Sequence, residues 1–146
     1  MKNLRKLNLP EDLANKQPLI LFDGECTLCN NTVHFLLKHN RTGNLNFTSL
    51  QSETGSELVK LAGKADNKAE TVMFLQDSML YGYSTAALKI TAHLGFPWRL
   101  LGILQIVPAL IRDILYRFIA KHRYRWFGRK PFCMTDKKEH HERFLY

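Results

Sequence analysis

Apolar and polar positions alternate along this chain in blocks that predict an α/β fold. Residues 19–23 form a nearly continuous apolar run, which is typical of a strand buried on both faces. Apolar side chains then recur with helical spacing until segment 39–43, whose basic residues and glycine are typical of a helix end. Residues 45–50 alternate and predict a second strand. A strand, a helix and a strand with short connections should pair in parallel by a right-handed crossover.

Further along, the pattern predicts a short helix and a β-hairpin. Residues 56–62 have apolar side chains at helical spacing and are followed by a glycine. Two runs rich in β-forming residues, 71–75 and 79–83, flank a dipeptide that can make a tight turn. The order predicted up to this point is therefore βαβ, a helix and two antiparallel strands.

The last part of the chain is predicted to be helical. Ser84 or Thr85 can cap a helix that follows the hairpin. A long helical region then runs from residue 98 to about residue 117. Pro108 should kink it, because proline cannot donate an intrahelical hydrogen bond.

Length and composition fit one domain. The chain has 146 residues, of which 45% are hydrophobic and 23% are charged, as in ordinary soluble globular proteins. Residues 1–17 predict a flexible lead-in, and residues 18–146 a single domain whose helical extension begins near residue 97. The lead-in lacks the apolar core of a signal peptide, and the longest apolar stretch, 100–111, is shorter than the roughly 20 residues of a membrane span. The expected location is cytoplasmic.

Two cysteines, Cys26 and Cys29, stand between the first predicted strand and the first predicted helix. Their spacing at a helix start lets the two sulfurs approach each other across the first turn. The unpaired backbone N–H groups of that turn and the helix dipole favour a thiolate. A thiolate is the form of cysteine that attacks disulfides and binds metals. The stretch therefore predicts a redox site.

The two thiols are predicted to have different roles. Cys26 is the candidate nucleophile, because the first cysteine should lie nearer to solvent and to the helix N-terminus. Cys29 is the candidate resolving thiol, which would release a mixed disulfide. The alternative is a metal-binding or regulatory module, but structural zinc needs four ligands and only Cys133 and scattered histidines could complete the set. We therefore expect no bound metal and no other cofactor.

The residues beside the cysteines also have predicted roles. Asp23 is a turn residue whose side chain bonds the local backbone, or an acceptor for a thiol proton during resolution, and the two roles are compatible. Gly24 should supply backbone freedom alone. Glu25 should oppose a thiolate by its charge and make the pair less oxidising. Thr27 and Leu28, between the cysteines, complete the candidate site.

Several stretches resemble the DCC family, which is named for its Asp-x-x-Cys-x-x-Cys motif and regarded as predicted thiol-disulfide oxidoreductases. The resemblance runs from about residue 19 to residue 133, nearly the whole chain. It is carried by Ile20-Leu21-Phe22-Asp23 with Cys26 and Cys29, by Gly95-Phe96-Pro97-Trp98-Arg99, by Arg123-Tyr124-Arg125-Trp126-Phe127-Gly128, and by Cys133.

The resemblance implies a thioredoxin-like α/β fold, with a βαβ-α-ββα sheet and an α-helical C-terminal extension. It also implies a thiol-disulfide oxidoreductase of the protein-disulfide reductase type, acting on a disulfide-containing protein or a small thiol. Thr71 begins the strand that this fold places beside the active site, where thioredoxins have a cis-proline. Its hydroxyl should therefore contact the cysteine pair. Cys133 is a candidate third thiol, although a free cysteine is more often a small buried hydrophobe.

The net charge of +8 implies attraction to an anionic partner, and much of it lies in the C-terminal segment 112–130. Seven basic residues there accompany one acid, Asp113. We expect the apolar face of this helix to cover the core and its charges to stay in water. The exposed charges could in addition make weak, salt-sensitive contact with an anionic membrane surface. No nucleic acid is expected, because no binding motif accompanies the charge. The apolar face consists of Ile111, Leu115, Phe118 and Ile119.

Overall fold

A computed structural model describes residues 4–40, 43–63, 72–128 and 144–145 of the chain. The elements follow one another in the order β1 (Leu4–Lys6), α1 (Glu11–Ala14), β2 (Leu19–Phe22), α2 (Thr27–His39), β3 (Asn46–Ser49), α3 (Glu53–Leu61), β4 (Met73–Gln76), β5 (Met79–Gly82), α4 (Tyr83–Ala92), a 3-10 helix (Trp98–Ile106), α5 (Ala109–Phe127) and β6 (Phe144–Leu145).

Within the described residues the strands form one mixed sheet in the order β1-β5-β4-β2-β3-β6. Strands β2 and β3 are parallel, as the βαβ pattern predicted. Strand β4 lies antiparallel to β2 and forms the predicted hairpin with β5. The thioredoxin-like order is therefore confirmed, with additional strands at both edges of the four central ones.

Strand β2 is buried on both faces, which explains its continuous apolarity. Ile20 and Phe22 pack into a core formed with α2 and α4. Leu19 and Leu21 point the other way and pack into a second core formed with α1 and α3. Successive side chains of a strand alternate between faces, so a strand covered by helices on both sides needs no polar position. The end of β2 is therefore a fixed support for the residues that follow it.

Residues 4–17 belong to the fold, which corrects the prediction of a flexible lead-in for this described part of residues 1–17. Strand β1 pairs antiparallel with β5, and the Leu7 N–H donates to the Ser78 carbonyl at 2.8 Å. Leu7 and Leu13 are buried in the second core. These leucines are too sparse to form a periodic pattern, so their burial depends on the sheet that they join.

The helices near the hairpin also differ from the prediction. Helix α3 begins at Glu53, because the Ser52 hydroxyl accepts the Gly55 N–H at 3.1 Å. Helix α4 begins at Tyr83 after Gly82 and has no side-chain cap, so neither Ser84 nor Thr85 caps it.

The predicted long helix is divided at Pro108. The 3-10 helix comes before this proline, and Pro108 is the N-cap of α5. A proline is tolerated at the start of a helix, where no intrahelical N–H partner is needed, but disrupts a helix interior. The kink predicted at this residue is therefore a complete break.

Helix α5 packs with polar side chains inward, which corrects the prediction that its apolar face covers the core. The inward Asp113 carboxylate accepts the Ser84 hydroxyl at 2.5 Å. The Tyr116 hydroxyl accepts the backbone N–H of Val72 at 3.2 Å. The apolar side chains that were expected to be buried are all exposed: Ile111, Leu115, Phe118 and Ile119. In the described part of the chain, no helix is long and apolar enough to cross a membrane.

Candidate active site

The two cysteines lie at the start of α2, directly after the turn that ends β2. Cys26 is the N-cap residue of α2, and its Sγ accepts the backbone N–H of Cys29 at 3.3 Å. The Cys26 N–H donates to the Asp23 carbonyl at 3.3 Å, which closes the turn. Both cysteines are free thiols. A sulfur thus occupies the position where a serine or aspartate oxygen usually caps a helix.

The exposure of the two thiols is the reverse of the prediction. Cys26 is fully buried, with 0% of its surface exposed, whereas Cys29 is half-buried. The C-terminal end of α5 lies against the first turn of α2, and the Gly128 carbonyl accepts the Thr27 N–H at 3.5 Å. Gly128 has φ 77° and ψ −178°, a conformation that is nearly restricted to glycine. Contact from a distant helix therefore shields the turn that was expected to face solvent.

The surroundings separate the acidities of the two thiols. Hydrogen bonds from the Cys29 thiol and from the Cys29 N–H lower the pKa of Cys26 to about 6, against the opposing effect of burial. The positive charge of Arg123 also lowers this pKa, and the negative charge of Asp23 raises it. The hydrogen bond to Cys26 raises the pKa of Cys29, and burial adds to that effect. Near neutral pH this arrangement gives one thiolate and one thiol.

Asp23 is held by four donors. Its Oδ1 accepts the Glu25 N–H at 3.0 Å and the Gln51 side-chain amide at 2.9 Å. Its Oδ2 accepts the Arg123 guanidinium at 3.0 Å and the Tyr124 hydroxyl. Only 4% of the residue is exposed. The carboxylate therefore joins the turn after β2, the loop after β3 and helix α5 at one point.

Arg123 and Tyr124 belong to this site, although no local sequence pattern indicated either of them. Arg123 is 3% exposed and forms a buried ion pair with Asp23 across 100 residues of sequence. Its NH2 group also lies 3.1 Å from the Tyr124 hydroxyl. Burial, followed by the hydrogen bond to Asp23, raises the pKa of Tyr124. Arg123 is therefore an exception to the expectation that the charges of segment 112–130 stay in water.

The sequence contains one signal that could have located Arg123. An aspartate directly after a fully buried strand needs a partner, because an unpaired buried carboxylate is energetically very costly. The pattern does not say which cation is that partner, since the segment 112–130 offers seven.

Gly24 is needed for space, which corrects the prediction that backbone freedom alone explains it. The φ of Gly24 is not positive, so its backbone conformation does not require glycine. A Cβ at this position, however, would lie 2.8 Å from the Ser49 Oγ. Its N–H donates to the Gln51 Oε1 at 3.0 Å, and its carbonyl accepts the Asn30 side chain at 3.1 Å. Close packing of two loops therefore explains this glycine. Glu25 is exposed, and the carboxylate that opposes the thiolate is that of Asp23.

An apolar cavity of about 340 Å³ lies between α2, α4, the 3-10 helix and α5. Cys29 and Leu28 line one side of it, and Arg123 lines another. Phe35 and Trp98 contribute aromatic rings to its wall, with ring centroids 4.9 Å apart. Leu28 thus lines the cavity, whereas Thr27 contacts the end of α5. The resolving thiol therefore borders an apolar space large enough for a side chain or a small molecule.

Two predicted participants, Thr71 and Cys133, lie outside the described residues. Among the residues that the structure describes, no three histidine, cysteine, aspartate or glutamate side chains come together as a metal site would require. The alternative of a metal site that includes Cys133 therefore stays untested.

The sequence around this site matches a known protein family. The sequence profile of the DCC1-like thiol-disulfide oxidoreductase family matches residues 20–129, which contain both cysteines, Asp23 and Arg123. No solved structure matches the chain.

Two relatives have sequences similar to nearly the whole chain. The uncharacterized protein YuxK of Bacillus subtilis is 44% identical over 135 residues, which cover 92% of this chain and 97% of the relative. A protein of Arabidopsis thaliana described as "DCC family protein At1g52590, chloroplastic" is 38% identical over 120 residues, which cover 82% of this chain and 70% of the relative.

Proposed function

The chain belongs to the DCC1-like thiol-disulfide oxidoreductase family, and we propose that it reduces disulfides with Cys26 as nucleophile and Cys29 as resolving thiol. One observation carries the proposal. The Cys26 sulfur accepts the Cys29 N–H at the start of α2, and its pKa is lowered to about 6 beside a thiol whose pKa is raised. A nucleophile and a protonated partner are what the two steps of disulfide exchange require.

The proposed exchange proceeds in two balanced steps. The Cys26 thiolate attacks one sulfur of the substrate disulfide, forms a mixed disulfide and releases the other sulfur as a thiolate. The Cys29 sulfur then attacks Cys26, and the remaining substrate sulfur leaves with the proton of Cys29. Two electrons pass to the substrate, and the Cys26–Cys29 disulfide remains on the protein.

In this proposal Asp23 is a positioning residue and does not receive the thiol proton. Its two oxygens already accept four hydrogen bonds, from Glu25, Gln51, Arg123 and Tyr124. It fixes the Arg123 guanidinium, whose charge lowers the pKa of Cys26. The turn role predicted for Asp23 fits the bond to the Glu25 N–H, and the ion pair adds a second role.

The substrate is proposed to be a disulfide in a protein or a small thiol compound. Apolar groups next to the substrate disulfide could occupy the cavity beside Cys29. Because Cys26 is buried and the end of α5 contacts the first turn of α2, we propose that this end moves away to admit the substrate. No cofactor is needed, since the cysteine pair itself carries the electrons. A reducing compartment such as the cytoplasm suits the reaction, because it regenerates the dithiol.

The proposal is tested with two cysteine variants and a model disulfide such as insulin. Cys26→Ser should abolish reduction, because the attacking sulfur is lost. Cys29→Ser should abolish turnover but retain substrate as a mixed disulfide on Cys26, which mass spectrometry can identify. Full reductase activity in Cys26→Ser would contradict the mechanism.

Metal analysis of reduced protein distinguishes the alternative of a metal-binding module. Under the redox proposal, preparations should contain no stoichiometric zinc and should keep their fold in chelator. Stoichiometric zinc that is lost together with the fold would favour the alternative, because structural zinc contributes directly to folding.

A further inference from the structure

Helix α5 presents its apolar side chains to solvent along its whole length. Ile114 is 63% exposed and Phe118 is 52% exposed, although both are large and apolar. Ordinary surface helices place such residues against a core. The inward positions of α5 are instead occupied by the polar groups that hold Asp23, Ser84 and the backbone of Val72.

The exposed residues form two adjacent rows on the helix, because residues four apart lie on the same side. Aromatic rings continue the row that contains Phe118. The centroid of the His122 ring lies 4.6 Å from that of Phe118 and 5.4 Å from that of Trp126. We call these exposed residues of α5 the apolar face. It comprises Leu110, Ile111, Ile114, Leu115, Phe118 and Trp126.

On α5, the exposed charges beside the apolar face all have one sign. Arg117, Lys121 and Arg125 are exposed and follow one another at four-residue spacing, so they form a row along one edge of the face. Asp113 is the only acid in the sequence between residues 95 and 128, and it points inward to Ser84. The surface is therefore an apolar strip bordered by cations.

We propose that the apolar face docks the protein onto an anionic phospholipid bilayer, with α5 lying in the interfacial plane. Apolar side chains would enter the boundary of the acyl chains, and Lys121 and Arg125 would contact lipid phosphates. At about 1.5 Å per residue, α5 presents a strip roughly 28 Å long. A bilayer interface is continuous over that length and supplies both the apolar phase and the negative charge.

A second copy of the chain is a poorer occupant of this face. A two-fold interface would bring the same strip of each copy together. The row of Arg117, Lys121 and Arg125 would then face an identical row or its apolar neighbours, with no acidic side chain on the strip to pair with it. Phosphates on a bilayer provide that pairing.

The docking proposal is independent of the redox proposal, and vesicle flotation tests it. The intact chain is mixed with vesicles of phosphatidylcholine, or of phosphatidylcholine with phosphatidylglycerol, at low and at moderate salt. It should float only with the anionic vesicles, and salt should weaken the binding. Each of two variants, Ile114→Ser with Phe118→Ser and Lys121→Glu with Arg125→Glu, should lower the affinity at least about tenfold.

Matched controls are available on other helices. Lys38→Glu with Lys60→Glu makes the same change in net charge at exposed positions of α2 and α3, and Leu61→Ser removes an exposed leucine from α3. Both should bind anionic vesicles within about twofold of the unmodified chain. An unchanged rate of Cys26 alkylation shows that each variant is folded.

Three results would overturn the docking proposal. The unmodified chain could fail to bind anionic vesicles at low salt. The variant Ile114→Ser with Phe118→Ser could bind vesicles as tightly as the unmodified chain, which would show that binding comes from diffuse charge attraction alone. The chain could instead form a dimer that the same variant dissociates while vesicles are not bound, which would make the face a contact between copies.

Discussion

At the scale of single residues, the acidity of Cys26 is set first by the hydrogen bonds from Cys29 and by burial, and then by two opposite charges that are 100 residues apart in sequence. The charge of Arg123 lowers its pKa, and the charge of Asp23 raises it. Both residues are almost fully buried, and each is the other's partner in an ion pair. Their substitution should therefore affect acidity in opposite directions while it lowers stability in both cases.

We expect Arg123→Gln to raise the pKa of Cys26 above about 6, because a positive charge that favours the thiolate is lost. The variant should also lose roughly 3–5 kcal/mol of stability, since the Asp23 carboxylate is left buried without its cation. The rate of iodoacetamide alkylation against pH measures the first effect, and urea unfolding the second. Arg125→Gln removes an exposed positive charge two residues further along α5 and should change neither value appreciably.

We expect Asp23→Asn to lower the pKa of Cys26, because the opposing negative charge is removed. The double variant with Arg123→Gln should lose less stability than the sum of the two single variants, as is usual for an interacting pair. The same alkylation and urea measurements apply. A higher pKa in Asp23→Asn, or strictly additive losses, would contradict the arrangement described here.

At the scale of the element, α5 both supplies Arg123 and covers the turn that carries Cys26. The Thr27 N–H donates to the Gly128 carbonyl at the end of this helix. This contact requires a backbone conformation at Gly128 that other residues rarely adopt. The accessibility of the nucleophile is therefore linked to one glycine at a helix end.

We expect Gly128→Ala to cost roughly 1–3 kcal/mol of stability, because alanine is strained at this φ and ψ. No atom lies within 4 Å of the added Cβ, so the cost is conformational and not steric. The plateau rate of Cys26 alkylation at high pH should rise as the end of α5 loosens. Gly102→Ala adds the same methyl group in open space and should change stability by less than about 0.5 kcal/mol, with an unchanged plateau.

At the scale of the whole molecule, the lowered pKa of Cys26 makes the stability of the reduced protein depend on pH. The pKa falls from 9.0 to about 6 on folding, so the unfolded chain binds more protons between these values. The stabilisation is fully present only above pH 9.0 and is lost as pH falls through about 6. Reduction is thus favoured by folding, which makes the corresponding disulfide more oxidising.

We expect the unfolding free energy of the reduced protein to rise by at most about 4 kcal/mol between pH 6 and pH 9, relative to Cys26→Ser. Urea unfolding of both proteins across this window gives the difference directly. Equal slopes in the two proteins would show that Cys26 has an ordinary pKa in the folded state. Above this window the raised pKa of Cys29 should reduce the stability again, because Cys29 ionises first in the unfolded chain.

The sequence by itself determined the features that depend on neighbouring residues. The apolar run of β2, the cysteine pair at the start of α2 and the hairpin of β4 and β5 were all predicted, because periodicity and turn residues are local properties. The family resemblance, carried by residues on both sides of this region, was also confirmed. That resemblance implied the thioredoxin-like arrangement of these elements.

Tertiary structure alone decided what the distant residues do. Leu7 and Leu13 are buried because β1 pairs with β5, and Arg123 is buried because Asp23 needs a counter-charge. Neither partner can be read from local spacing, since one cation among seven looks like any other until the helix is docked. The orientation of α5 also depends on distant partners that local spacing does not identify. Its polar contacts to the site outweigh the usual burial of apolar side chains, and so the apolar face points to solvent.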